Sequence, residues 1–214
     1  MKLLKIDLHT HSLMSPDGSL RIRDYAEMLK NKKLDYIAIT DHNRVDFAIE
    51  AFNQLGSRII VGEEIMTKDG EIIGLFLKNS ILPNQSLKDT INSIKLQQAL
   101  VYLPHPFEKY RHGVSWQLLS SLIGLIDIVE CYNGRTLNFG NILKNKKMIR
   151  KYHLVGAASS DSHGLIGFGR TYTLVKSNFI DRSNLIQILQ TAQYHYRPAG
   201  LVARLYPTFN RYRK

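Results

Sequence analysis

Acidic residues are scarce in this chain: 18 Asp and Glu stand against 29 Lys and Arg, a formal charge of +11 over 214 residues. Such a surface excludes cationic partners as the natural choice and attracts anionic ones, among them phosphates, nucleic acid and acidic lipid. Cysteine is all but missing, and the single thiol, Cys131, rules out an internal disulfide. No charged start followed by a long apolar run marks a secretion signal or a membrane span, so a soluble, cytoplasmic protein is expected. Repeats, low-complexity tracts and Pro/Gly/Ser linkers are absent as well. With 44% hydrophobic residues, the chain is long enough for one sizeable core and too short for two enzyme domains. One domain over 1–214 is expected, ending in a basic, aromatic-rich segment from about 194.

What is present is alternation. Short β-branched runs at 2–8, 35–40, 58–61, 71–77, 100–103, 126–131, 154–157 and 170–175 read as strands. Between them, 20–31 carries Tyr25, Met28 and Leu29 at helical spacing, and 45–55 carries Ala48, Ala51, Phe52 and Leu55. Ser86 with Asp89 resembles a capping box opening a helix toward Gln98; 115–122, 136–152 and 182–193 are further helix candidates. Repeated βα units predict a parallel sheet, closed or doubly wound, with its active site at the carboxyl ends of the strands.

Histidines and acids gather at those ends. The first strand runs into Asp7-Leu8-His9-Thr10-His11, and residues two apart share a face, so His9 and His11 can address one ion. The Pro16-Asp17-Gly18 turn can fold Asp17 back over the same strand end. The second strand ends in Asp41-His42, where alternation selects His42 as ligand and leaves Asp41 as its support. Of Glu63 and Glu64 after the third strand, the same rule allows one to face the site, and Glu64 is taken. His105 stands between Pro104 and Pro106, and Asp161 and His163 repeat the two-residue spacing of the first strand. A lone strand-end histidine is ordinarily structural; five such histidines spread over four βα units, with their acids, make a ligand set suited to Zn, Mn or Fe.

These fragments, in this order, resemble the PHP (polymerase and histidinol phosphatase) family: Asp-Leu-His-Thr-His with Pro-Asp-Gly, Ile-Thr-Asp-His-Asn, Gly-Glu-Glu-Ile, His-Pro, Glu-Cys-Tyr-Asn-Gly-Arg and Ser-Asp-Ser-His. The resemblance covers roughly residues 3 to 175. It implies a distorted (β/α)7 barrel with two or three divalent metals (Zn, Mn or Fe), hydrolysing phosphoesters. It further implies His9, His11 and Asp161 on one metal, Asp17, His42 and His163 on another, Glu64 bridging two and His105 serving the bridged pair. His42, Glu64, Asp161 and His163 would thereby stand at the reaction centre, and Asn133 and Arg135 would line the pocket. One departure is visible: many relatives carry a histidine in the hairpin strand after the bridging acid, and residues 71–77 hold none. Glu130 or Cys131 are the substitutes considered.

An anionic, phosphorylated substrate needs a cationic clamp, for which Arg135 and Arg170 are the candidates, Arg170 because it follows His163 closely. Three classes of function fit: a small-molecule phosphatase or phosphodiesterase, a nuclease acting on oligonucleotides or nucleic-acid ends, and a non-catalytic metal-binding module. The arginines and tyrosines after residue 194 would suit single-stranded nucleic acid; a solvated tail with rings packed on the barrel is the alternative.

Overall fold

The computed structural model describes residues 1–136 and 138–213, with no side chain for Arg213. Leu137, inside the helix expected from Thr136, and Lys214 of the basic segment lie outside the described residues. Nine strands form one sheet: β1 (Lys2–Asp7), β2 (Tyr36–Ile39), β3 (Ile59–Thr67), β4 (Gly70–Leu75), β5 (Leu100–Leu103), β6 (Ile128–Asn133), β7 (Val155–Ser159), β8 (Tyr172–Ser177) and β9 (Gln193–His195). The helices are α1 (Ile22–Lys30), α2 (Asp46–Leu55), α3 (Leu87–Leu96), α4 (Trp116–Leu122), α5 (Phe139–Lys151), α6 (Leu185–Leu189) and α7 (Leu201–Arg213).

The order β7-β6-β5-β4-β3-β2-β1-β8-β9 curls into a nearly closed barrel. Strands β1 to β3 are mutually parallel, as are β5 to β7; β4 runs against both of its neighbours between these two groups, as β8 does between β1 and β9. The reversed β4 is the distortion of the expected (β/α)7 barrel. Closure comes from the extensions of β1 and β7: Thr10 bridges Ser162 in parallel, and the Asp161 and Ser160 amides donate to His9 O and Asp7 Oδ1, both at 2.9 Å. The β8–β9 hairpin covers the outer side of β1.

Alternation divides each strand between two environments. Ala38, Ile60, Ile73, Tyr102, Ile128 and Ala157 fill the barrel, whereas Ile37, Ile39, Val101, Leu103 and Val129 meet the surrounding helices. Continued upward in steps of two, the inward rows pass from Ile60 to Glu64, from Ile128 to Glu130 and from Ala157 to Asp161. Polar chemistry therefore sits directly on an apolar floor.

Differences from expectation are local. The helix expected over 182–193 shortens to α6, because Gln193–His195 pairs with β8 and sheet hydrogen bonds take precedence over helical spacing. Residues after 200 form α7 instead of a tail.

Glu63, the acid that alternation turns away from the barrel, is fully buried; Oε2 accepts from the Ile81 amide at 2.8 Å and Oε1 has no partner among the described residues. Burial raises its carboxyl to about 7. A folded-state value above the ordinary one means the charged form opposes folding, so stability falls as pH rises from about 4.5 through 7. Glu63→Gln should match the wild type in denaturant titrations near pH 4.5. At pH 8 it should be more stable by up to about 2–3 kcal/mol; an equal difference at both pH values would contradict this account.

Candidate metal centre

His9 and His11 follow β1, His42 follows β2, Glu64 lies within β3, His105 follows β5, and Asp161 and His163 follow β7. The turn carrying Asp17 is pinned by a Ser12–Leu20 bridge and by Gly18, whose missing Cβ would stand 2.0 Å from Ser12 O. Only glycine allows that approach. His105 and Asp161 adopt left-handed φ values of 28° and 51°. Each is held there by its amide, donating to Glu130 Oε2 at 2.6 Å and to His9 O at 2.9 Å respectively. Strained backbone at these two positions aims their side chains at the shared centre.

The donor atoms crowd together. His9 Nε2 lies 3.1 Å from His11 Nε2 and 3.3 Å from Glu64 Oε2, and His11 Nε2 is 3.6 Å from Asp161 Oδ1. His105 Nε2 is 2.9 Å from Glu64 Oε1, while Asp17 Oδ1 is 3.6 Å from His42 Nε2 and 3.5 Å from His163 Nε2. Among the described residues, four sets have donors within 4.8 Å of one another: His11, Asp17, His42 and His163; His9, His11 and Asp161; His9, Glu64 and His105; and His42, Glu64 and Glu71. With metal–ligand bonds of about 2.0–2.1 Å, neighbouring donors of a coordination polyhedron stand roughly 3–3.5 Å apart. The observed spacings fit divalent cations, and the mixed imidazole and carboxylate set suits Zn, Mn or Fe.

All eight residues expected as ligands meet at this centre, and Glu71 joins them. Its carboxylate is 3.7 Å from His42 Nδ1 and 3.6 Å from His105 Nε2, in the hairpin strand that lacks the family histidine. Because β4 is reversed, its first residues, not its last, reach the metal end of the barrel. The proposed substitutes stand elsewhere. Glu130 sits behind the ligands, accepting from Tyr102 Oη at 3.1 Å and contacting His9 Nδ1 at 3.1 Å. Cys131 is the extra residue of a bulge: Glu130 pairs with Ala157 and Tyr132 with Ala158, which leaves Cys131 beside Gly156, away from the centre. That bulge also brings Asn133 onto the inward face, where Nδ2 donates to Glu130 Oε2 and Asp161 Oδ2, each at 2.8 Å.

Protons compensate the crowding only in part. Burial works against protonation of His9, but Glu64 and Glu130 outweigh it and raise this imidazole to about 10. Burial lowers His11 to about 4. Burial, with Glu64 beside it, lifts Glu71 to about 8. Glu64 itself is held well below the usual carboxylate range, because His9 and His42 override its burial. The polypeptide thus alternates charged and neutral donors across a few ångströms, an arrangement that divalent cations relieve directly.

Above the donors lies a cleft of about 270 Å³ whose walls include Tyr110, Arg111, Arg135, Pro207, Thr208 and Arg211. Arg135 Nη1 is 3.5 Å from Asp161 Oδ1, and its Nε is buried with no partner among the described residues. Burial, reinforced by the neighbouring Arg111, lowers its guanidinium to about 9. Arg111, which no strand-end pattern announces, is ion-paired to Asp161 and reaches Asn133 Oδ1 at 3.2 Å. Two expectations shift here. Asn133 is buried behind the cleft, with its amide engaged by Glu130 and Asp161, and does not line it. Arg170 lines a different cavity, with Tyr172, His195 and Arg197, since the turn through Gly169 carries the chain outward over α1.

Residues 7–164 match the PHP domain family. Uncharacterized protein MJ0417 of Methanocaldococcus jannaschii is 34% identical over 176 residues, which span 79% of this chain and 69% of that protein. A two-domain Bacteroides vulgatus protein containing a predicted PHP-like metal-dependent phosphoesterase is similar in fold, with TM-score 0.74 and 21% identity over 98% of this chain and 70% of its own. The lesion-specific endonuclease PfuEndoQ of Pyrococcus furiosus gives a TM-score of 0.67 and 14% identity, over 90% of this chain and 58% of its own. Sequence match, barrel and donor cluster agree: the chain belongs to the PHP domain family.

Proposed function

We propose that this chain is a metal-dependent hydrolase of phosphoester bonds, a small-molecule phosphatase or phosphodiesterase. His9, His11, Asp17, His42, Glu64, His105, Asp161 and His163 would hold two or three divalent ions, with Glu71 completing the His42 and Glu64 set. The observation that carries the reading is the opening of this donor cluster into the same cleft as Arg135, a half-buried side chain whose Nε has no partner among the described residues. When bound, such ions lower the pKa of a coordinated water toward neutrality and offset charge on phosphoryl oxygens.

The chain's own residues supply position. Arg111 stands close enough to disfavour the charge on Arg135, and an anionic oxygen between the two would offset this. A guanidinium fork of this kind suits the non-bridging oxygens of a phosphoryl group. Asn133 braces the fork, because Oδ1 accepts from Arg111 Nη1 at 3.2 Å and from the Arg135 amide at 2.8 Å. Glu64 has one oxygen toward His105 and the other toward His9, His11 and His42, and would hold ions from both.

A nuclease is the second reading. It is favoured by the +11 charge and by the fold shared with an endonuclease. The small volume of the cleft and its α7 wall favour a compact or terminal phosphate over the interior of a duplex. No helix among the described residues is long and apolar enough to cross a membrane.

The test is a panel of a generic phosphomonoester, a phosphodiester and labelled oligonucleotides, each with Mn²⁺, Zn²⁺ or Fe²⁺. Monoester or simple diester turnover without action on oligonucleotides is expected. Mononucleotide release would move the assignment to the nuclease, and firmly bound metal with no turnover would leave a binding module.

His9→Ala and Asp161→Ala should each lose bound metal and activity while keeping the far-ultraviolet circular dichroism of the parent. Full metal content in either would contradict the ligand assignment. Arg135→Ala should retain its metal yet lose about 10- to 100-fold in kcat/KM, the cost of a charge-assisted contact to the reacting group. Unchanged kinetics would remove Arg135 from the site.

A further inference from the structure

Helix α7 contacts the candidate centre through its last residues. Asn210 is 8% exposed, and its Nδ2 donates to Asp17 O at 2.8 Å and to His163 O at 3.2 Å. One amide group thus spans the two loops that bring Asp17 and His163 together. The next residue, Arg211, places Nη2 3.0 Å from Asp17 Oδ2, leaving Oδ1 toward His42 and His163. Tyr206 lies against Gly164, where even a Cβ would stand 2.7 Å from its ring.

Elsewhere along the helix, Arg204 Nη2 donates to Thr136 O at 3.3 Å and Ala203 packs beside Gly167. Ala203 and Pro207 face the barrel, but Leu201, Leu205, Phe209 and Tyr212 are 50–88% exposed. Most helical stability in proteins comes from burying an apolar face; here the larger apolar side chains point outward, and the contacts of the last two turns fall on Asp17, His163 and Gly164.

We propose that Asn210, assisted by Arg211, is a positioning residue for the cation set of His11, Asp17, His42 and His163, so that α7 docking and cation binding at that set strengthen each other. The inference rests on the reading of this cluster as a metal centre and adds an element far away in sequence to it. Groups that orient ligands from behind typically contribute 10- to 100-fold in metal affinity. Linkage makes the effect reciprocal: whatever factor docking adds to cation affinity, the cation adds to docking.

The experiment compares full-length wild type, Asn210→Ala and the near-isosteric Asn210→Asp, which cannot donate to the two carbonyls. Mn²⁺ or Zn²⁺ titration with elemental analysis is paired with amide hydrogen exchange across 201–213, with and without the ion. Both variants should retain the parent circular dichroism and lose about 10- to 100-fold in affinity for one ion, leaving the remainder near wild type. Saturating Mn²⁺ should slow exchange in α7 of the wild type and change it little in either variant. A merely structural role for Asn210 would alter exchange equally with and without the ion, and that result overturns the proposal. Full-affinity, full-stoichiometry binding by Asn210→Ala overturns it too, with the metal reading intact. A wild type that binds neither ion would overturn the metal reading and this inference together.

Discussion

Imidazole nitrogens and carboxylate oxygens resist close packing. Lone pairs face lone pairs, and burial removes the water that would screen them. In this chain the donors of His9, His11, Glu64 and His105 nonetheless lie between 2.9 and 3.3 Å from a neighbour in an almost fully buried centre. Single protons satisfy some of these contacts but not all, as the opposite displacements of His9 and His11 indicate. A divalent cation shared by several donors answers the same electrostatic demand with fewer particles. The rest of the architecture can be understood as what is required to hold those donors in place.

That requirement explains features that would otherwise weaken the fold. Left-handed backbone at His105 and Asp161 costs about 1–3 kcal/mol each in typical cases, and a bulge in a parallel pair is uncommon. Each is tied down by a specific contact. The bulge at Cys131 lets Glu130 and Asn133, three residues apart, share one face. Glu130 then restrains the His9 ring and accepts the amide of strained His105. Asn133 in turn links Asp161 to Arg111. Fixing ligands from behind is the usual way a protein defines a metal site, and here the same side chains also stabilise the irregular backbone.

Much of this was legible in the order of residues. The βα alternation and the strand ends carrying His9, His11, His42, His105 and His163 pointed to a parallel sheet, closed or doubly wound, with its chemistry at one end of the strands, because period-two alternation converts sequence position into facing; the barrel itself came from the family resemblance. The same rule separated Glu64 from Glu63 correctly. It failed at Glu71 for a topological reason: β4 is antiparallel, so the rim meets the beginning of that strand, and a search for ligands at strand ends passes over it. It failed at Arg170 and Arg111 because loop trajectories are not periodic. Proximity in sequence to His163 suggested the former, whereas the loop after His105 delivers the latter. The α7 contacts were illegible for a related reason: Asn210 and Asp17 are separated by almost the whole chain, and no local pattern announces their meeting.

Charge follows the same division between local and global. The excess of basic residues is a property of the whole sequence, yet at the cleft Arg111, Arg135 and Arg211 are each drawn to a carboxylate of the donor cluster. With divalent ions in place, those carboxylates would be shared with the metals, and the guanidiniums would be freer to attract an incoming anion. On this electrostatic account Asp161 and Asp17 would hold the cations, and Arg111, Arg135 and Arg211 would then be available to an anion. Cations held by these acids would leave the cleft more positive, in accord with the excess of basic residues in the sequence as a whole.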